Sequence, residues 1–118
     1  MNIDEAEPAC DLATIAALDD EDGGDLLADL IDTFSVEAPR QVEQLQRAIA
    51  EHETVVAARL AHTIKGSAGI FGAFRLEEMA AQAEQAARRH SLAQAAAVYR
   101  RLRDEIDRVI AALARYRA

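Results

Sequence analysis

The chain has few of the residues on which several protein classes depend. It contains one cysteine, Cys10, so no intrachain disulfide can form, and a reducing compartment is favoured. It has no tryptophan and only 4% aromatic residues, which argues against an all-β or doubly wound fold. It lacks the run of about 18 apolar residues that a membrane span requires, and its acidic N-terminus is unlike a signal peptide. We therefore expect a cytoplasmic protein that does not bind membranes.

Alanine supplies most of the apolar half of the composition. Of 118 residues, 51% are hydrophobic and 27 are alanine, the residue with the highest helix propensity. A chain of this length forms one domain and buries roughly two thirds of the surface that its unfolded form exposes, so it needs no disulfide or metal to hold a core. We predict an all-α single domain over residues 1–118, with a disordered N-terminal tail over about residues 1–9.

The charge is unevenly distributed along the chain. Residues 1–59 contain 15 acidic residues and three arginines, whereas residues 60–118 contain six acidic and ten basic residues, for a total net charge of −8. An acidic total argues against nucleic acid as the main ligand, because binding to phosphates needs a cationic surface. Of the 13 basic residues, 12 are arginine, and Lys65 is the sole lysine.

Apolar residues recur every three or four positions in five segments, which indicates five helices. The second is long and includes Pro39, where we expect a kink and not an end. Thr54 is the expected N-cap of the third helix, the fourth runs from about Phe74 to Arg89, and Ser91 is the expected cap of the fifth. The predicted core face of the short first helix consists of Leu12, Ile15, Ala16 and Leu18. This pattern predicts an up-down antiparallel four-helix bundle with a short additional N-terminal helix.

The third helix contains the segment with the most chemical information, residues 62–72. If Leu60, Ile64 and Ala68 face the core, the opposite face carries Ala58, Arg59, His62, Lys65, Gly66 and Gly69. An exposed neutral imidazole has a free lone pair on one ring nitrogen and can act as a nucleophile. Lys65, one turn further on, offers positive charge to an incoming anion.

Gly66 is unusual in a helix interior, where glycine costs about 1 kcal/mol relative to alanine. A missing side chain next to His62 would let a bulky group approach the imidazole, and Gly69 would extend the same clearing. The alternative is that both glycines let a neighbouring helix pack closely. No acidic residue lies between Glu53 and Glu77, so no general base or orienting residue is close in sequence. This favours a group carrier over a hydrolase that uses His62 as a base.

Residues 62–73 resemble the signature of the histidine-containing phosphotransfer (HPt) domain family. The match consists of a histidine, two further residues, Lys-Gly-Ser, a small residue, and then Gly and Ala after a short spacer. The helical layout is also similar, with a short first helix and a long second helix that contains Glu37-Ala38-Pro39. The resemblance implies a phosphorelay intermediate that exchanges a phosphoryl group with aspartates of receiver domains.

The resemblance also implies roles for individual residues. His62 would be the phospho-acceptor, Lys65 would steady the phosphoryl oxygens, and Gly66 with Gly69 would provide access. A polar side chain from the next helix would hold the imidazole, and Gln82 and Glu84 are both candidates. The expected partner-docking residues are Leu12, Ile15, Phe34, Ala58 and Arg59.

The expected partners are the receiver domains of a hybrid histidine kinase and of a response regulator, and the protein is expected to be a monomer. It would have no cofactor of its own, because the catalytic acids and Mg²⁺ belong to the receiver. His52, His62 and His90 have spacings that match no metal-ligand pattern, so no metal site is expected. Met1 and the completed fifth helix favour a free-standing protein over a domain of a hybrid kinase.

Two other functions remain open. One is a non-phosphorylated helical adaptor that binds a partner's amphipathic helix. The other is the phospho-acceptor domain of a chemotaxis-type histidine kinase, whose phosphoryl donor would be an ATP-binding domain in place of a receiver.

Overall fold

The computed structural model describes residues 7–20 and 24–117, and these residues contain five helices and no strand. The helices are α1 (Leu12–Asp19), α2 (Asp25–Ala50), α3 (Thr54–Ile70), α4 (Phe74–Arg88) and α5 (Leu92–Arg117). The predicted all-α class is confirmed. Within the described ranges, no helix is long and apolar enough to cross a bilayer.

Helices α2 to α5 form a four-helix bundle. Each packs against the next one in the chain, α2 and α5 also pack against each other, and α1 packs on α2. Three-residue connections join α2 to α3, α3 to α4 and α4 to α5, and such short connections make consecutive helices antiparallel neighbours. The predicted up-down bundle with a short additional N-terminal helix is therefore confirmed.

Three of the helices end in the same way. After α2, α3 and α4, the residues His52, Gly72 and His90 have left-handed backbone conformations, with φ of 58°, 61° and 59°. The next backbone N–H donates to the carbonyl five residues back, at 2.8–3.0 Å. This is the Schellman motif, which satisfies carbonyls that a helix end would otherwise leave unpaired. His52 and His90 are thus part of the chain reversals.

Two local expectations have different outcomes. α2 continues through Pro39 without ending, because a proline removes one backbone donor while the packing of both flanking segments holds the helix together. The expectation for Thr54 is wrong, since Thr54 is the first helical residue of α3. Glu53 occupies the N-cap position and makes no side-chain capping hydrogen bond.

The core contains most of the residues that the periodicity indicates, but two proposed docking residues belong to it. Ile15 is 1% exposed and Phe34 is 4% exposed, and the Phe34 ring meets that of Phe71 edge to face at 5.4 Å. Neither side chain is accessible to a partner. Leu12 is 67% exposed and lines a concavity with residues of α5, including Tyr116. The predicted core face of α1 is therefore wrong for Leu12 and also for Ala16, which is exposed.

Residues 7–11 pack against the bundle. Ala9 and Cys10 are buried, and burial raises the pKa of the Cys10 thiol to about 11. Arg108 donates a hydrogen bond to the Glu7 carbonyl, and the Asp11 N–H donates to the Gly72 carbonyl at 3.0 Å. The expected disordered tail therefore does not hold for residues 7–9, and residues 1–6 lie outside the described residues.

Candidate functional site

Helix α3 presents His62 to solvent, with 63% of its side chain exposed. The opposite face of the helix is buried, at Ala57, Ala61, Ile64 and Ala68. The expected exposure of His62 is thus observed. Ala58 differs from the expectation, because it is 5% exposed. It lies on the side of α3 that faces α4, next to the exposed Arg59.

A carboxylate from α4 lies beside the imidazole. Glu84 Oε2 is 3.2 Å from Nδ1 of His62, and Glu84 Oε1 is 3.1 Å from Nζ of Lys65. Arg88, one turn along α4, donates to Glu84 Oε2 through Nη2 at 2.7 Å and through Nε at 3.1 Å. One buried carboxylate, 7% exposed, therefore holds together three basic side chains from two helices.

The environment of Glu84 keeps this carboxylate ionised. Burial alone would raise its pKa, but hydrogen bonds from Arg88, Lys65 and His62 outweigh that effect and lower the pKa to about 2. An ionised carboxylate only accepts hydrogen bonds, so Nδ1 of His62 must carry the proton that they share. The lone pair of the neutral imidazole is then on Nε2.

The structure separates the two candidates for holding the imidazole. Glu84 contacts His62, whereas Gln82 is exposed and lines another concavity with Arg75 and Arg101. Side chains that are two residues apart on a helix, as Gln82 and Glu84 are, differ in direction by about 200° around the helix axis. Gln82 is therefore not at the site. Glu84, which contacts the imidazole, lies 22 positions from His62 in the sequence.

The two glycines of the segment have different surroundings. A Cβ atom added to Gly66 would meet nothing within 4 Å, whereas one added to Gly69 would lie 2.8 Å from Glu77 Oε2. Gly66 thus leaves open space on the exposed face next to His62, as expected. The Glu77 carboxylate of α4 occupies the space next to Gly69, so Gly69 does not extend the clearing.

Arg88 is the site residue that the sequence analysis missed. A signal for it was present, because Glu84 and Arg88 are four residues apart on a predicted helix, a spacing that favours an ion pair. Among the residues that the structure describes, no group of three or more His, Cys, Asp or Glu side chains is arranged to hold a metal ion.

The comparisons with known proteins agree with this fold and motif. The chain is similar in structure to the crystal structure of histidine-containing phosphotransfer protein B (HptB) from Pseudomonas aeruginosa. The TM-score is 0.86 with 24% sequence identity, over 93% of this chain and 95% of that one. No curated protein sequence is significantly similar. The family model of the Hpt domain matches residues 29–112, which include α3, α4 and most of α2 and α5. The chain therefore belongs to the Hpt domain family.

Proposed function

We propose that this Hpt-family protein carries a phosphoryl group on Nε2 of His62 within a phosphorelay. It would accept the group from the aspartyl phosphate of one receiver domain and pass it to the aspartate of another. The contact between Glu84 and Nδ1 of His62 supports this proposal most strongly. It leaves Nε2 as the nucleophilic atom of an imidazole that is largely exposed and that has open space at Gly66.

The proposed transfer step follows from this arrangement. The Nε2 lone pair attacks the phosphorus atom of the aspartyl phosphate, and an N–P bond forms. The P–O bond to the receiver's aspartate breaks, and the carboxylate leaves with the electron pair. Nδ1 keeps its proton, so the phosphorylated ring carries a positive charge, which the Glu84 carboxylate stabilises. Attack by the next receiver's aspartate reverses these changes.

Lys65 has donors left for the phosphoryl oxygens. Its ammonium group has three N–H donors, and Glu84 Oε1 accepts from it at 3.1 Å. The side chain is 34% exposed, so the remaining donors are accessible from the side of His62. Under this proposal, the receiver supplies Mg²⁺ and the acidic residues that bind it, and the carrier has no turnover of its own.

The experiment is transfer from a receiver domain labelled with radioactive phosphate, tested across the receiver domains of the source organism. We expect label that is labile in acid and stable in base, as for phosphohistidine. His62→Gln abolishes it, while the matched variant His52→Gln, at a helix end, retains it.

Each other result has a distinct meaning. Label on His62→Gln would overturn the site assignment. Failure of every receiver to label the wild-type protein would overturn the function and favour the adaptor. Labelling by an ATP-binding kinase domain alone would identify a chemotaxis-type acceptor.

A further inference from the structure

Arg88 is the last residue of α4 and holds the Glu84 carboxylate from the same helix. Its Nε and Nη2 both donate to Glu84 Oε2, at 3.1 and 2.7 Å. This is the oxygen that lies 3.2 Å from Nδ1 of His62. Lys65 pairs with the other oxygen, Oε1, at 3.1 Å. The two cations therefore divide the carboxylate between them, and the arginine takes the oxygen that contacts the imidazole.

The backbone on either side of Arg88 is well anchored. The adjacent Ala87 is 1% exposed, and the Ala86 carbonyl accepts from the Ser91 N–H at 2.8 Å in the Schellman motif that ends α4. The Arg88 side chain itself is 62% exposed, and an ion pair of an exposed side chain contributes little to stability. Two donors that converge on one oxygen nevertheless restrict where that oxygen can lie. The main consequence of this pair is therefore positional.

A carboxylate that orients a ring must be held by something other than that ring. The Glu84 side chain has several rotatable bonds, and its other two partners, His62 and Lys65, both lie on α3 and belong to the transfer site. Arg88 holds it from α4 instead, and its guanidinium is a poor nucleophile. When Lys65 turns towards a phosphoryl group, Arg88 still compensates the charge of the buried carboxylate. The contact of Glu84 with Nδ1 can thus persist throughout the transfer.

We propose that Arg88 is a positioning residue for phosphoryl transfer, an inference that rests on the proposed function. It holds Glu84 Oε2 against Nδ1 of His62, and so keeps the lone pair of the ring on Nε2. Its charge acts in the same direction. Burial raises the pKa of Glu84, and the hydrogen bond from Arg88 is the largest of the effects that lower it, so the carboxylate stays an acceptor for the Nδ1 proton.

Nitrogen NMR of the His62 ring distinguishes this role from a general effect on the fold. Arg88→Ala should lower the fraction of neutral rings with the proton on Nδ1, because Glu84 loses its anchor. Arg89→Ala is the matched control, since it removes the same charge from the next residue. Arg89 is exposed and is not among the ion-pair partners of Glu84 in the described part of the chain. An unchanged proton preference in Arg88→Ala would overturn the proposal.

A small phosphoryl donor tests the same role without a receiver. With phosphoramidate, the N–P bond to Nε2 of His62 forms while the donor's own P–N bond breaks and ammonia leaves with the electron pair. Arg88→Ala should slow this reaction and transfer from a receiver by the same factor, about tenfold. Arg89→Ala should slow neither. A loss with the receiver alone would place Arg88 in the contact with the receiver and overturn its positioning role.

A double variant tests whether Arg88 acts through Glu84. In the Glu84→Ala background, Arg88→Ala should cause no further loss with phosphoramidate, because the carboxylate that Arg88 holds is already absent. Losses that multiply would overturn the proposal. Failure of every receiver to label the wild-type protein would overturn the proposed function, whereas the NMR and phosphoramidate results need no receiver and decide the role of Arg88 by themselves.

Discussion

Glu84 and Glu105, the two buried charged side chains among the described residues, both pair with basic side chains, but these partners differ in chemistry and exposure. Glu105 is 3% exposed, accepts from Arg108 at 3.0 Å and lies 3.8 Å from Arg75. Both of its partners are arginines, which stay protonated and are poor nucleophiles. Arg108 also binds the Glu7 carbonyl, so this cluster ties the N-terminal segment to α5.

Glu84 instead contacts a histidine that is 63% exposed and a lysine that is 34% exposed. Histidine can change its protonation state near neutral pH, and its neutral form can bond to phosphorus. Under the proposed function, Glu84 would therefore support transfer, because its partners include a reactive, accessible group, whereas Glu105 would stabilise the fold.

The strongest test of this difference is Glu84→Ala. Removal of the carboxylate leaves Nδ1 without its partner and three basic groups close together, so the rate of transfer to His62 should fall on the order of 100-fold. Nitrogen NMR of the His62 ring should show loss of the preference for a proton on Nδ1. Glu105→Ala should leave both properties near wild type, and an equal loss of transfer would contradict the distinction.

Glu105→Gln tests whether the buried Glu105 carboxylate stabilises the fold. The amide keeps the shape of the side chain but removes the charge that pairs with Arg108, so the free energy of unfolding should fall by about 2 kcal/mol. Urea unfolding followed by circular dichroism measures the change. An unfolding free energy equal to that of the wild type would contradict a stabilising role for Glu105.

The pH dependence of stability should report Glu84 directly. Its pKa is lowered from 4.5 to about 2 in the folded protein, so between these values the unfolded chain binds more protons than the folded one. The stabilising contribution is therefore present above pH 4.5 and is lost as the pH falls towards 2. Urea unfolding at pH 7, 4 and 3 measures this change. The free energy of unfolding should fall less with decreasing pH in Glu84→Gln than in the wild type. Parallel curves would contradict this pKa.

The smallest expected effect is that of Gly66→Ala. The new methyl group meets no atom within 4 Å, so the variant should gain about 0.5–1 kcal/mol of stability from helix propensity. The same methyl group enters the space next to His62, and the rate of transfer from the receiver should fall. Gly69→Ala is the comparison, because its methyl group would press on Glu77. Thermal unfolding and transfer kinetics on both variants check these expectations.

The sequence predicted features that depend on local spacing. His62, Lys65 and Gly66 lie within two turns of one helix, so their shared exposure follows from helical periodicity. In the long helices, apolar residues recur every three or four positions over many turns, so the buried face of each of these helices could be predicted. α1 has only eight residues, which is too short for spacing to distinguish the buried Ile15 from the exposed Leu12.

Features that depend on contacts between helices were harder to predict. The choice between Gln82 and Glu84 requires the rotation of α4 relative to α3. The close approach of Gly69 to Glu77 and the burial of Ala58 depend on the same packing. None of these relations is encoded in the spacing of residues along a single helix.

The pairing of Lys65 with Glu84 affects how strongly a phosphoryl group would be held. An incoming phosphoryl group must share the ammonium charge with a carboxylate that already accepts from it at 3.1 Å. The phosphorylated protein then gains less Coulomb energy than it would from an unpaired lysine. Its phosphohistidine would keep a high transfer potential, and the exchange with each receiver would remain readily reversible.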